Sequence, residues 1–144
     1  MALIEILNLQ KREVDLEFLR KVASKLLKNE DKEISIVLVD EKKIRQLNKK
    51  FRREDKSTDV LAFPLGGEFI STRDLLGEVI ISVESAQKEA KKRNHSLKEE
   101  IVLLLIHGIL HLKGYDDKRK EEKELMRKKE REILISLGIR EDIV

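Results

Sequence analysis

The chain has 144 residues, of which 40% are hydrophobic and 41% are charged, and its formal net charge is only +3. This length and hydrophobic fraction are typical of one domain with one buried core, residues 1–144, and they exclude a disordered chain. The sequence contains no cysteine, which excludes disulfides and thiolate metal sites, and it contains no membrane-length apolar run, so we expect a cytoplasmic protein.

The first 52 residues predict an alternation of strands and helices. Ile4–Leu9 predicts a strand. The next element is predicted to be a helix, because apolar residues from Phe18 to Leu27 recur at helical spacing, and Asp15 is its candidate N-terminal cap. The branched apolar run Ile34–Asp40 is typical of a strand buried on both faces. Asp40 then caps a second helix, and its apolar side carries Ile44, Leu47 and Phe51.

Two more strands are predicted in the middle of the chain, at Asp59–Pro64 and Leu76–Ser82. A polar loop that contains two adjacent glycines joins them. Because this loop is too short for a helical crossover, we expect the two strands to pair antiparallel.

The remaining third of the chain predicts helices. Ser96 and Glu99 form a capping box, which starts the apolar helix that ends before Gly114. A lysine- and glutamate-rich helix follows, with a solvated charged face and Gly138 at its C-terminal cap. Its predicted apolar stripe is Leu125, Met126, Ile133 and Leu137, and the helix before the capping box buries Val83, Ala86 and Ala90.

This order of elements predicts the α+β class. We expect a mixed four-stranded sheet with one antiparallel pair, packed against helices, and a buried central helix that carries the histidines described next.

The stretch HGILHLKGYDD, residues 107–117, predicts a metal site. Residues four apart on a helix lie about 40° apart around its axis and about 6 Å apart along it, so His107 and His111 can reach one ion. Gly114 ends the helix, and either Asp116 or Asp117 can then return as a third ligand. Two histidines and one carboxylate suit zinc, and they also accept nickel or manganese. The alternative is a pair of helix histidines that are hydrogen bonded to backbone carbonyls.

Three segments, in order, resemble the YbeY family of bacterial endoribonucleases. They are HGILHLKGYDD, LNKKFRREDKSTDVLAFP at residues 47–64, and LLGEVIIS at residues 75–82. The resemblance implies a metal-dependent enzyme that cuts single-stranded RNA, matures the 3′ end of small-subunit ribosomal RNA and acts in ribosome assembly and quality control. It also implies ribosomal RNA, small-subunit ribosomal proteins and assembly GTPases as partners.

The same resemblance implies roles for individual residues. The family holds its ion, usually taken to be zinc, with three histidines, of which His107 and His111 match the first two. Asp117 stands where the family has the third histidine, so we expect a weaker or altered metal preference. Arg52 matches an arginine that binds or positions RNA, and His107 and Arg52 are the expected catalytic residues. Asp116 matches the family's own aspartate, which either orients a ligand or forms the turn.

Two other functions remain open from the sequence. One is a metal hydrolase of another substrate, such as a peptidase, although Gly108 stands where a metallopeptidase carries its glutamate. The other is a non-catalytic ribosome-assembly factor with a weakened metal site. Among the remaining candidate residues, we expect His95 to be an exposed neighbour of the capping box and Tyr115 to pack over the site. Arg53 and the stretch 56–58 are weaker candidates for phosphate contacts.

Overall fold

The computed structural model describes residues 3–64 and 75–144, and a four-stranded mixed sheet lies at its centre. The strands are β1 (Leu3–Asn8), β2 (Glu33–Val39), β3 (Val60–Pro64) and β4 (Leu75–Ser82). They are ordered β1-β2-β4-β3; β2 pairs in parallel with β1 and β4, and β3 pairs antiparallel with β4. The α+β class and the antiparallel pair are therefore confirmed, while the predicted loop with two glycines lies outside the described residues.

Helices cover both faces of this sheet. They are α1 (Leu16–Leu26), α2 (Glu41–Arg52), α3 (Val83–Arg93), α4 (Leu97–Leu112) and α5 (Lys120–Ser136), and a short 3-10 helix (Glu141–Ile143) follows. The side chains of Ile36 and Val79 pack with α1 and α4 on one face, whereas those of Val37 and Ile80 pack with α2 on the other. This double burial explains the continuous apolar run of β2. In the described parts of the chain, no helix is long and apolar enough to cross a membrane.

Local capping interactions set the ends of these helices. The Asp15 carboxylate accepts a hydrogen bond from the Phe18 N–H at 3.1 Å, and that of Asp40 accepts one from the Lys43 N–H at 2.8 Å. The predicted capping box of α4 is present. Gly114 and Gly138 follow α4 and α5 with φ values of 100° and 74°, a left-handed conformation that glycine adopts without strain.

Two predictions about side-chain exposure were wrong. Leu125 is 58% exposed, because the buried side of α5 runs instead through Met126, Glu130, Ile133 and Leu134. The side chain of His95 is only 2% exposed, and its Nε2 lies 2.5 Å from Oε1 of the equally buried Glu100. An imidazole that pairs with a buried carboxylate is drawn inward rather than left in water.

The capping box predicts a pH-dependent contribution to stability. Hydrogen bonding from the Ser96 N–H lowers the pKa of Glu99 against the effect of burial, and Arg140 lowers it further. A lowered folded-state pKa stabilises the protein above the unfolded-state pKa, and this contribution is lost as the pH falls through the folded-state pKa. We therefore expect Glu99→Gln to cost about 0.5 kcal/mol at neutral pH and almost nothing near pH 3.

Urea unfolding of both proteins at the two pH values measures this difference. Ser96→Ala is the matched control, because it removes an uncharged cap acceptor and its cost should persist at both pH values. An equal cost of Glu99→Gln at both pH values would contradict the assignment.

Candidate metal centre

The two histidines of the HGILHLKGYDD stretch lie one turn apart near the C-terminal end of α4. The part of this helix before them is buried, but the side chains of His107 and His111 are 30% and 31% exposed. Their rings meet edge to face, with centroids 4.6 Å apart and the two Nε2 atoms 3.1 Å apart. The helix therefore directs two imidazole nitrogens toward one point at the protein surface.

The turn after α4 brings Asp117 to the same point. Gly114 allows the chain to reverse, and the Tyr115 N–H closes the turn on the Leu110 carbonyl at 3.0 Å. As a result, Oδ2 of Asp117 lies 3.8 Å from Nε2 of His107 and 4.0 Å from Nε2 of His111. The three ligand atoms all lie within 4.8 Å of one another.

The spacing of these atoms fits one divalent ion. In a tetrahedral zinc site with metal–ligand distances near 2.0–2.1 Å, neighbouring ligand atoms lie about 3.3 Å apart. The observed separations of 3.1, 3.8 and 4.0 Å bracket that value. Two imidazoles and one carboxylate, all partly exposed, would therefore hold an ion after sub-ångström adjustments.

His107 is oriented by a second hydrogen bond. Nδ1 of His107 lies 3.2 Å from Oε2 of Glu130. Protein metal sites commonly orient their histidines this way, with a carboxylate or a carbonyl on the other ring nitrogen. The partner of His107 is therefore a carboxylate and not one of the backbone carbonyls that the alternative interpretation requires.

Glu130 is a candidate functional residue that the sequence interpretation missed. It lies on α5 and is only 5% exposed. One signal for it is present in the sequence: Glu130 follows Met126 by four residues and precedes Ile133 by three, so it is an acid on an apolar stripe. A buried carboxylate needs a partner, and here the partner is His107.

The charges around the histidines favour a positive charge between them. Burial lowers the pKa of His107, but the hydrogen bond and charge of Glu130, helped by Asp117, outweigh burial and raise that pKa above its ordinary value. Burial and the neighbouring charge of His107 instead lower the pKa of His111. The pair therefore keeps one nitrogen free of a proton, which is the state that a metal ligand requires.

Arg52 lies in the same cleft as these ligands. It ends α2, and it lines the cleft together with Thr58, His107, His111 and Asp117. Arg53 instead leaves the helix in the left-handed conformation, with φ of 58°. Arg52 and three candidate metal ligands therefore line one open space, although about sixty residues separate Arg52 from the ligands in sequence.

The other cleft candidates differ in position. The Oδ1 atom of Asp116 accepts a hydrogen bond from the Asp117 N–H at 2.7 Å, so its carboxylate shapes the turn. Tyr115 lines the cleft and packs against the main core. Ser57 donates a hydrogen bond to Glu41 at 3.1 Å and so points toward the start of α2.

Gly108 lies where α4 touches the sheet. A Cβ atom at this position would lie 2.7 Å from Cγ1 of Val79, much closer than real Cβ atoms approach. Neither the β-branched Val79 nor the central strand around it can move aside easily. The glutamate that a metallopeptidase carries after its first histidine therefore has no room in this protein.

This contact makes Gly108→Ala destabilising despite the higher helix propensity of alanine. Overpacking costs about 1–3 kcal/mol and propensity returns about 1 kcal/mol, so we expect a net loss of about 1 kcal/mol in the free energy of unfolding. In a Val79→Ala background the same change should stabilise the protein. Denaturant unfolding of the four proteins measures the coupling, and additive effects would show that the two side chains do not clash.

Comparison with known proteins gives concordant matches over most of the chain. The family model described as endoribonuclease YbeY matches residues 5–138. The endoribonuclease YbeY of Aquifex aeolicus is 40% identical over 137 residues, 92% of this chain and 91% of the relative. That of Carboxydothermus hydrogenoformans is 42% identical over 141 residues, 94% and 97% of the two chains. A solution structure from Thermotoga maritima superposes with a TM-score of 0.65 at 32% identity, covering 94% of this chain and 92% of that one. The chain belongs to the endoribonuclease YbeY family.

Proposed function

We propose that this protein is a metal-dependent endoribonuclease that cuts single-stranded RNA and takes part in the 3′-end maturation of small-subunit ribosomal RNA. The observation that carries the proposal is the convergence of His107, His111 and Asp117 in a cleft that also contains Arg52. Membership of the endoribonuclease YbeY family supports RNA as the substrate. Residues 1–144 act as one catalytic domain in this proposal.

Five residues have separate tasks in the proposed reaction. His107, His111 and Asp117 hold one divalent ion, zinc in the first place and nickel or manganese as alternatives. The bound ion supplies Lewis-acid chemistry to the phosphodiester. Arg52 donates two hydrogen bonds to two oxygens of one phosphate and neutralises the negative charge that develops on that phosphate. Glu130 would fix the ring of His107 through Nδ1, which leaves Nε2 facing the other candidate ligands.

The cellular part of the proposal rests on the family resemblance. In this proposal the partner is ribosomal RNA, the further partners are small-subunit ribosomal proteins and assembly GTPases, and the location is the cytoplasm. The cellular part concerns the same cleft, because an RNA strand that reaches Arg52 also reaches the candidate ligands.

The proposal is tested by cleavage of a single-stranded ribosomal RNA fragment, with zinc, nickel or manganese titrated into chelator-treated protein. We expect cleavage that rises with metal occupancy, and little cleavage of the same sequence annealed to its complement. A peptide library serves as the second substrate. Metal-dependent peptide hydrolysis without RNA cleavage would overturn the proposal in favour of a peptidase.

Arg52→Ala is expected to lower kcat/KM for RNA about 100-fold and to leave metal affinity unchanged. A 100-fold fall in kcat/KM is the effect expected when one hydrogen-bond donor that stabilises the negative charge of the transition state is removed. Cleavage kinetics and calorimetric metal titration measure the two quantities. Lys49→Ala is the matched control, since it removes one positive charge from the exposed side of the same helix end. Equal losses in the two variants would reduce the role of Arg52 to general attraction of RNA.

A further inference from the structure

A second cavity, of about 290 Å³, lies directly beside the metal cleft. The two spaces share Asp59, Val60, His107 and Asp117, so they are two lobes of one depression with the candidate ligands between them. Arg52 lies in the first lobe. The mechanism proposed above gives the second lobe no task.

The second lobe is formed where α4 and α5 face each other. From α4 it is lined by residues 100, 103, 104 and 107, and from α5 by residues 123, 126, 127 and 130. Both sets follow the i, i+3, i+4, i+7 spacing of one helix face. The lobe therefore extends along α4 from His107 for seven residues, which is about 10 Å.

This lobe combines an apolar wall with charged groups, which include the buried carboxylates of Glu100 and Glu130. The side chains of Leu103, Leu104 and Met126 form an apolar wall, and each is at most 7% exposed. The exposed cations Lys123 and Arg127 stand at the outer side. Such a combination of an apolar surface and neighbouring cations suits a base together with its phosphates.

The polar group at the inner end of the lobe is a buried carboxylate. Glu100 is 1% exposed and lines the cavity, while its Oε1 is held by Nε2 of His95 at 2.5 Å. The two oxygens of a carboxylate offer about four hydrogen-bond acceptor sites, and the contact with His95 occupies one of them. A ligand that enters this end must therefore present N–H or O–H donors.

We propose that this lobe is a nucleobase subsite that receives a guanine from the nucleotide next to the phosphate held at the metal centre. Guanine presents two adjacent N–H donors on one edge, whereas that edge of adenine, cytosine or uracil places an acceptor beside each donor group. The apolar wall covers the face of the base, and Lys123 and Arg127 hold the following phosphate. The inference rests on the proposed function, because it takes RNA as the substrate, and it adds the base that the site selects.

Binding of seven-residue RNAs tests the subsite. Each probe is oligouridine with one guanosine at a successive position, and affinity for chelator-treated protein is measured by fluorescence anisotropy, so that the probes are not cut. We expect guanosine at one position to strengthen binding about tenfold, the order of one good two-donor contact to a base edge, and adenosine or cytidine there to have no such effect. If all probes bind with the same affinity, whatever the position of their guanosine, the inference is overturned.

Two variants connect this preference with the second lobe. Leu103→Trp fills the lobe, and Glu100→Gln replaces the acceptor-only group without changing its shape. Both should remove the preference for guanosine. Leu125→Trp is the control for an added indole, since Leu125 is 58% exposed on the adjacent helix surface. If Leu103→Trp fails to fold by circular dichroism, Glu100→Gln decides alone; a preference that survives in a folded variant overturns the inference.

The binding assay also separates this inference from the proposed function. A guanosine preference that is lost in Glu100→Gln, in a protein that never cuts RNA, would support the subsite and sink the nuclease. Metal-dependent cleavage with no base preference would support the nuclease and sink the subsite.

Discussion

His111→Ala is expected to abolish tight binding of a divalent ion and to lower RNA cleavage about 1000-fold. Loss of a residue that merely orients a ligand costs 10–100-fold in other metal sites, so loss of a ligand itself should cost more. Two candidate ligands remain after the change, and they leave half of a tetrahedral site to water. Calorimetric titration of zinc into chelator-treated protein gives the affinity, and single-turnover cleavage gives the rate.

The control for this experiment is the third histidine of the chain. His95→Gln keeps a hydrogen-bonding group for Glu100 and should bind zinc as the native protein does, because His95 pairs within the fold and lies outside the ligand cluster. Undiminished zinc affinity in His111→Ala would contradict the ligand assignment.

Asp117→His extends this experiment to the residue at which the chain departs from the family motif. A carboxylate adds a negative charge that an imidazole lacks, so the exchange restores three neutral ligands. If metal-dependent cleavage occurred only in Asp117→His, the non-catalytic ribosome-assembly factor would become the better description of the native protein.

Much of the fold was predictable because its signals are local. The caps at Asp15 and Asp40 and the capping box at Ser96 each involve residues within three positions. The short connection between two strands predicted the antiparallel pair, and the continuous apolar run of β2 predicted its burial on both faces. Burial caused the two wrong predictions: His95 turned inward to pair with the buried Glu100, five residues further along the chain, and the packing of α5 left Leu125 in solvent.

The candidate ligands could also be predicted from local spacing, whereas Arg52 and Glu130 beside them could not. His107 and His111 lie one turn apart on a helix, and Asp117 follows at the next reversal of the chain, so spacing alone brings them together. Arg52 comes from a distant helix and was found only through the resemblance. The contact of Glu130 with His107 depends on how α5 packs across α4, which helical periodicity does not determine.

Glu130 should have opposite effects on metal affinity and on stability. Replacing it by glutamine keeps a hydrogen-bond acceptor for Nδ1 of His107 but removes the charge, so we expect zinc affinity to fall about tenfold, within the range known for such partners. Glu130→Leu removes both and should weaken zinc binding about 100-fold. Glu132→Gln, on the exposed side of α5, is the matched control.

The stability of the metal-free protein should change in the other direction. Glu130 is a carboxylate on an otherwise apolar face, beside Met126 and Ile133, and its desolvation opposes folding. At a pH above the folded-state pKa of His107, where Glu130 has no cationic partner to lose, Glu130→Leu should therefore raise the free energy of unfolding by about 1 kcal/mol in chelator while it lowers zinc affinity. A residue that served the fold alone would lower both quantities together when replaced. Parallel losses in urea unfolding and zinc titration would thus assign Glu130 to packing, and opposite changes would assign it to holding His107 for the ion.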